Sequence, residues 1–178
     1  MSERVVPVRA VRGSRRATGI VLVACGVIAS ALSSASCAGT VNLREALQVT
    51  ELSGGYFDAG IVEGKNKLQP SISFRIHRQG ERPRTISLNV IYRKIAGNEL
   101  QDFDEVFLQT VAFEEGNRTA LITARTQSGY TGDPPQSRAD MLKNSQFQDM
   151  RAFIFAKQSS SNWVELATYD LPRQVLTR

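Results

Sequence analysis

Apolar and polar residues alternate along several stretches of this 178-residue chain, and this period of two constrains its fold more than any other feature. In residues 71–78 the alternation places Ile72, Phe74 and Ile76 on one side. Residues 86–93 repeat the pattern, with these residues on one side: Ile86, Leu88, Val90 and Tyr92. Because successive side chains of a strand point to opposite faces, each stretch predicts a β-strand with one buried face.

Four more stretches have the composition of strands. Residues 105–113 and 119–126 are two of them, and a turn-like segment separates them. Residues 150–157 and 163–169 flank the polar loop 158–162. A short polar loop between two apolar runs predicts a β-hairpin.

The first strand is predicted in two parts, residues 47–52 and residues 56–62. Gly54 and Gly55 lie between these parts. Glycine inside a strand pattern often marks a bulge, so the strand is expected to bend at this pair.

One short helix is predicted near residue 140. Ser137 and Asp140 have the spacing of a capping box, and the helix should end by about Asn144. About seven strands with one short helix predict a mostly β, antiparallel sandwich spanning residues 42–178. In strand count and spacing the domain resembles an immunoglobulin-like fold, although the Cys…Trp…Cys signature of that family is absent.

Residues 1–37 differ from the rest of the chain. Five arginines among the first 16 residues precede an uncharged apolar run over residues 17–32, and small residues follow it up to Cys37. This layout resembles a bacterial export signal, which implies that residues 1–37 are a cleaved signal peptide. An uncleaved membrane anchor is the alternative, because no charge occurs between Arg16 and Arg44.

Residues 34–37 resemble the lipobox of bacterial lipoproteins, in which the cysteine is lipidated and becomes the new N-terminus. The resemblance implies a lipid on Cys37 that tethers the protein to a membrane. The family favours leucine three positions before the cysteine, where this chain has Ser34. Cleavage by the general signal peptidase after Ala35 or Ala38 is the alternative.

Charge and cysteine content exclude several classes of function. The chain has 22 Lys and Arg residues against 17 Asp and Glu, but residues 1–37 hold five of the arginines and only one acidic residue. The remaining domain is nearly neutral, which argues against a nucleic-acid partner. Cys25 and Cys37 also lie in the signal, so the domain is expected to have no disulfide and no thiolate metal site.

Few residues suggest chemistry. His77 is the only histidine, it lies on the polar side of its strand, and no cofactor is predicted. Asp102, Asp104 and Glu105 supply carboxylate oxygens that could bind Ca²⁺, although acidic residues at strand entrances also serve as solvated ends.

Two tyrosines stand near glycines, Tyr56 after Gly55 and Tyr130 after Gly129. Exposed tyrosines on flexible loops are typical of recognition surfaces, so both are candidate ligand-binding residues. The alternative is that their rings cap the ends of the sandwich core.

Together these features predict an exported protein of the cell envelope, either periplasmic or tethered by a lipid. We expect a non-enzymatic binding or assembly module, which could have an envelope protein as its partner. The alternative is an exported hydrolase or a carbohydrate-binding accessory with an acidic site around residues 102–105.

Overall fold

The computed structural model describes residues 41–176, which form a β-sandwich. The predicted signal peptide, including Cys37, lies outside the described residues. Within them there are nine strands and two short helices. In chain order the elements are α1 (Leu43–Ala46), β1 (Leu47–Val62), β2 (Lys65–Arg78), β3 (Thr85–Ala96), β4 (Glu99–Ala112), β5 (Ile122–Arg125), β6 (Tyr130–Gly132), α2 (Arg138–Lys143), β7 (Met150–Lys157), β8 (Val164–Asp170) and β9 (Val175–Leu176).

Two sheets make up the sandwich. The first sheet has the order β5-β2-β1-β9, and β6 also pairs with β2; the second has the order β4-β3-β7-β8. All pairings are antiparallel except that of β1 with β9. The predicted antiparallel sandwich is therefore confirmed, with nine strands in the described range instead of about seven. The strands β6 and β9 are too short for an alternating pattern to be recognised.

The core lies where the predicted strand faces meet. Ile72, Phe74 and Ile76 of β2 are fully buried, as are Leu88 and Val90 of β3. Burying a large aliphatic or aromatic side chain contributes about 1.5–3 kcal/mol. The inward faces predicted from the alternation are confirmed.

A buried hydroxyl joins the two sheets. Tyr92 of β3 donates its hydroxyl hydrogen to the carbonyl oxygen of Ala124 (2.7 Å) and accepts a hydrogen bond from the backbone N–H of Ile72 (3.2 Å). Ile72 and Ala124 are opposite each other in the pairing of β2 with β5. The Tyr92 hydroxyl of the second sheet therefore hydrogen-bonds to backbone groups of two paired strands of the first sheet. Burial raises the pKa of Tyr92, so this phenol remains a neutral donor.

Helix α2 confirms Ser137 as its N-cap, but the Asp140 carboxylate accepts a hydrogen bond from the Ser137 hydroxyl and not from the Ser137 backbone N–H, as a full capping box requires. The Ser137 Oγ accepts a hydrogen bond from the backbone N–H of Asp140 (3.1 Å), and the C-cap is Asn144. Met141 and Leu142 are buried, so this helix is attached to the core by its apolar side. Neither α2 nor any other helix of residues 41–176 is long and apolar enough to cross a bilayer.

The predicted bulge at Gly54 and Gly55 is wrong. Both glycines pair regularly with β2, and the register shifts lie on either side of them, between Thr50 and Ser53 and again near residue 59. The glycines are needed for space instead. A Cβ atom on Gly55 would lie 2.7 Å from the carbonyl oxygen of Gln174. The absence of a side chain lets residues 174–176 approach β1 closely.

Candidate functional site

Tyr56 does not lie on an exposed loop, and that expectation is wrong. It lies within β1 and its side chain is fully buried. Gly54 pairs with the inward-facing Ile72, and Tyr56 follows two positions later on the same face. No local sequence signal indicates this burial, because the inward face of Gly54 follows only from its pairing with β2.

Tyr130 is half-buried at the start of β6, at the centre of four contacting aromatic rings, which we name the Tyr130 cluster. Its ring centroid lies 4.3 Å from that of Phe147 and 5.8 Å from that of Phe103, which stacks on it at 14°. Tyr56 meets both Tyr130 and Phe147 edge-on. Aromatic pairs contribute about 0.5–1.5 kcal/mol beyond the area they bury. The cluster therefore packs β1, β4, β6 and the segment after α2 against one another.

Polar contacts fix the segment that carries Phe147. The Arg173 guanidinium pairs with Asp149 (2.6 Å) and donates hydrogen bonds to the carbonyl oxygens of Leu142 and Phe147. The Tyr130 hydroxyl donates to the carbonyl oxygen of Gln148 (2.7 Å). Burial, with a smaller contribution from Asp149, raises the pKa of Tyr130 to about 12. Tyr130 is thus a neutral donor held in a single orientation.

A cavity of about 160 Å³ lies beside this cluster, and we name it the Tyr130 pocket. Its floor is formed by the buried Met141 and Phe147, whereas the lining residues Thr131, Asn144 and Gln146 are exposed. The seven lining residues are Tyr130, Thr131, Gln136, Met141, Asn144, Gln146 and Phe147. None of them carries a charge. Such a site offers an apolar floor with a rim of amide and hydroxyl groups, each able to donate and to accept hydrogen bonds.

The structure does not bring the predicted calcium ligands together. Asp102 pairs with Arg93 (2.8 Å), and Glu105 accepts a hydrogen bond from the Asn89 side chain (3.3 Å). The Asp104 carboxylate is also occupied, by the backbone N–H groups of Ser128 and Glu105, both at 2.8 Å. Across residues 41–176 no group of three or more His, Cys, Asp or Glu side chains is placed to hold a metal ion.

The environment of Asp104 favours its charged form. Partial burial acts to raise its pKa, but hydrogen bonds from Ser128, Glu105 and Gln127 outweigh burial and lower the pKa below its usual value. A general acid needs the opposite shift. His77 lies on β2, where its backbone forms an isolated antiparallel β-bridge with Arg118. It does not line the Tyr130 pocket.

No protein-family model matches this chain, and a comparison with curated proteins finds no match either. The chemistry of the site is therefore the basis for a functional proposal.

Proposed function

We propose that this chain is a non-enzymatic binding module of the cell envelope, and that its Tyr130 pocket binds a small uncharged ligand rich in hydroxyl groups, such as a sugar ring. The observation that carries the proposal is the combination of a buried aromatic floor with an uncharged amide rim. A sugar hydroxyl both donates and accepts hydrogen bonds, which matches the amides of Gln136, Asn144 and Gln146. The apolar face of the sugar ring would pack on Phe147.

The lack of charge in the pocket also disfavours ionic ligands. Moving a charged group out of water costs several kcal/mol when no opposite charge receives it. Arg173 lies close by, but its guanidinium is engaged by Asp149 and by two backbone carbonyl groups. It is not available to neutralise a ligand.

A binding role is better supported than hydrolysis. The alternative placed catalysis at Asp102, Asp104 and Glu105, but each of these carboxylates has its own hydrogen-bond donor. The hydrogen bonds on Asp104 keep it ionised, so it is a poor proton donor. The Tyr130 pocket contains hydrogen-bonding groups but no carboxylate and no histidine.

The composition of residues 1–37 supports the location in the envelope. Lipidation of Cys37 would tether the domain to a membrane, whereas cleavage after Ala35 or Ala38 would release it. Intact-mass measurement of the protein extracted from membranes separates these alternatives. A mass that begins at Cys37 and includes a diacylglycerol supports the tether, and an unlipidated mass beginning at Ser36 or Gly39 refutes it.

The pocket is tested by saturation-transfer NMR with a panel of neutral monosaccharides and disaccharides and the purified full chain. We expect transfer to at least one sugar, and a Kd about 2–10-fold higher for Gln146→Ala, because this change removes one hydrogen bond. Gln101→Ala is the matched control, since Gln101 is exposed on β4 and does not line the pocket. Equal effects of the two substitutions, or no transfer to any sugar, would refute the proposal.

A further inference from the structure

A second concave surface lies on the outer face of the second sheet. Ser87 alternates with the buried Ile86 and Leu88, so its side chain lies on the face away from the core. Ser87 pairs with Lys157 of β7, which places Lys157 on the same outer face. A cavity of about 350 Å³ at this place is lined by Ser87 and Lys157, and also by Phe107.

This cavity continues into a second one. The neighbouring cavity has a volume of about 260 Å³ and includes Arg82 and Arg84 in its lining. Both cavities are lined by Thr85 and Ser159, so they are adjoining parts of one groove. We name it the Arg84 groove. Each part is larger than the Tyr130 pocket, which suits a ligand longer than one ring.

Three cations face this groove without a carboxylate partner. Within residues 41–176 no ion pair forms to Arg82, Arg84 or Lys157. Five other arginines each face a carboxylate, namely Arg75, Arg93, Arg138, Arg151 and Arg173. The positive charge of the groove is therefore available to a ligand, and guanidinium groups match the geometry of carboxylates and other oxyanions.

One exposed aromatic ring, that of Phe107, lines the groove, and the exposed ring of Trp163 packs against it. Phe107 is 54% exposed and Trp163 is 38% exposed, and their ring centroids are 6.0 Å apart in an edge-to-face arrangement. The Lys157 ammonium lies 4.7 Å from the Trp163 ring centroid, which connects the aromatic pair to the cations. The groove thus combines positive charge with flat apolar surface.

We infer that the Arg84 groove binds an anionic saccharide chain, with carboxylate or sulfate groups on Arg82, Arg84 and Lys157 and sugar rings on Phe107 and Trp163. Hydroxyl and amide groups, among them those of Thr85, Gln109 and Ser159, complement the sugar hydroxyls. An anionic membrane surface is less well matched, because lipid chains would leave the hydroxyl and amide groups of the lining without hydrogen-bond partners. Nucleic acid is disfavoured by the near-neutral charge of the domain.

This inference does not rest on the Tyr130 pocket. The two sites share no lining residue, so either can fail without the other.

The chain has one tryptophan, Trp163, which makes its fluorescence a probe of this groove. We would titrate the purified full chain with polygalacturonate, with dextran sulfate and with uncharged dextran, and record tryptophan emission. At least one anionic polymer should give a saturable change that weakens as salt is added, whereas dextran should give none.

The double substitution Arg82→Ala/Arg84→Ala tests the location. Both side chains are exposed, so the fold should be retained, and we expect roughly 10–100-fold weaker binding after the loss of two charge-assisted contacts. The control Arg44→Ala/Lys143→Ala removes two exposed cations that lie on helices outside the groove, and it should change the Kd less than about twofold.

Three results would overturn the inference. The first is that neither anionic polymer changes the emission. The second is that the Arg82→Ala/Arg84→Ala variant and the control lose affinity equally, which indicates binding by overall charge. The third is that vesicles of phosphatidylglycerol change the Trp163 emission through Arg82 and Arg84 while the polymers do not, which indicates a membrane surface.

Discussion

Two buried tyrosines allow the loss of a phenolic hydroxyl group to be compared in two environments, one that hydrogen-bonds to the hydroxyl and one that does not. Tyr92 and Tyr56 are both fully buried. The Tyr92 hydroxyl hydrogen-bonds to the Ala124 carbonyl oxygen and to the Ile72 N–H, whereas the Tyr56 hydroxyl has no hydrogen-bond partner among the described residues. Substitution by phenylalanine keeps each ring and removes only the hydroxyl.

Only the first of the two substitutions is expected to lower the stability of the domain. Tyr92→Phe leaves two buried backbone groups unpaired at a cost of about 1–3 kcal/mol each, and partial relaxation of the strands reduces the sum to about 2–4 kcal/mol. Tyr56→Phe removes a hydroxyl group whose burial without a hydrogen-bond partner costs about 1–3 kcal/mol. It should therefore leave the free energy of unfolding unchanged or raise it by about 1 kcal/mol.

Urea denaturation followed by circular dichroism measures both effects, with the free energy of unfolding taken from the midpoint and the slope. For a domain of this size each kcal/mol corresponds to about 3–5 °C in Tm, so Tyr92→Phe should lower the Tm by about 6–20 °C. Tyr169→Phe provides a control for the change of residue type, because Tyr169 is only partly buried. Equal shifts of the urea midpoint in the same direction for Tyr92→Phe and Tyr56→Phe would contradict this prediction.

Two further predictions concern packing and pH. Gly55→Ala should lower the free energy of unfolding by about 1–3 kcal/mol, because the new Cβ lies 2.7 Å from the Gln174 carbonyl oxygen; an unchanged urea midpoint would contradict this. The folded state raises the pKa of Tyr130 from 10.0 to about 12 and so holds this proton more tightly than the unfolded chain. The contribution of the Tyr130 hydroxyl to stability is complete below pH 10 and is lost as the pH rises towards 12. The free energy of unfolding of Tyr130→Phe should therefore fall less steeply with pH over this interval than that of the unsubstituted protein.

Much of the framework could be predicted because its signals are local. The alternation at Ile72 and Leu88 indicates which side of β2 and β3 is buried. This can be predicted without knowing which strand each of them pairs with. The N-cap at Ser137 is likewise a contact within four residues. These elements follow from periodicity and from backbone hydrogen-bonding groups that need a nearby partner.

The sites could not be predicted because they depend on contacts between residues distant in sequence. Arg84 and Ser159 border one groove only after β3 and β7 pair. For Tyr56 the alternative of a ring in the core is the correct one: the adjacent glycines suggest a flexible loop, whereas they make room for Gln174. Local composition contains no information about that approach.

The pairing of β9 with β1 has a consequence for the order in which the sandwich assembles. The Tyr56 N–H donates to the Gln174 carbonyl oxygen, and the Gln174 side chain donates to the Gly54 carbonyl oxygen, both at 2.8 Å. These contacts span most of the described chain, so we expect them to form late, after the local hairpins. Until residues 174–176 are in place, this part of the β1 edge is open, and an open edge can pair with another polypeptide. The short strand β9 thus protects the middle of β1 from pairing with the wrong chain.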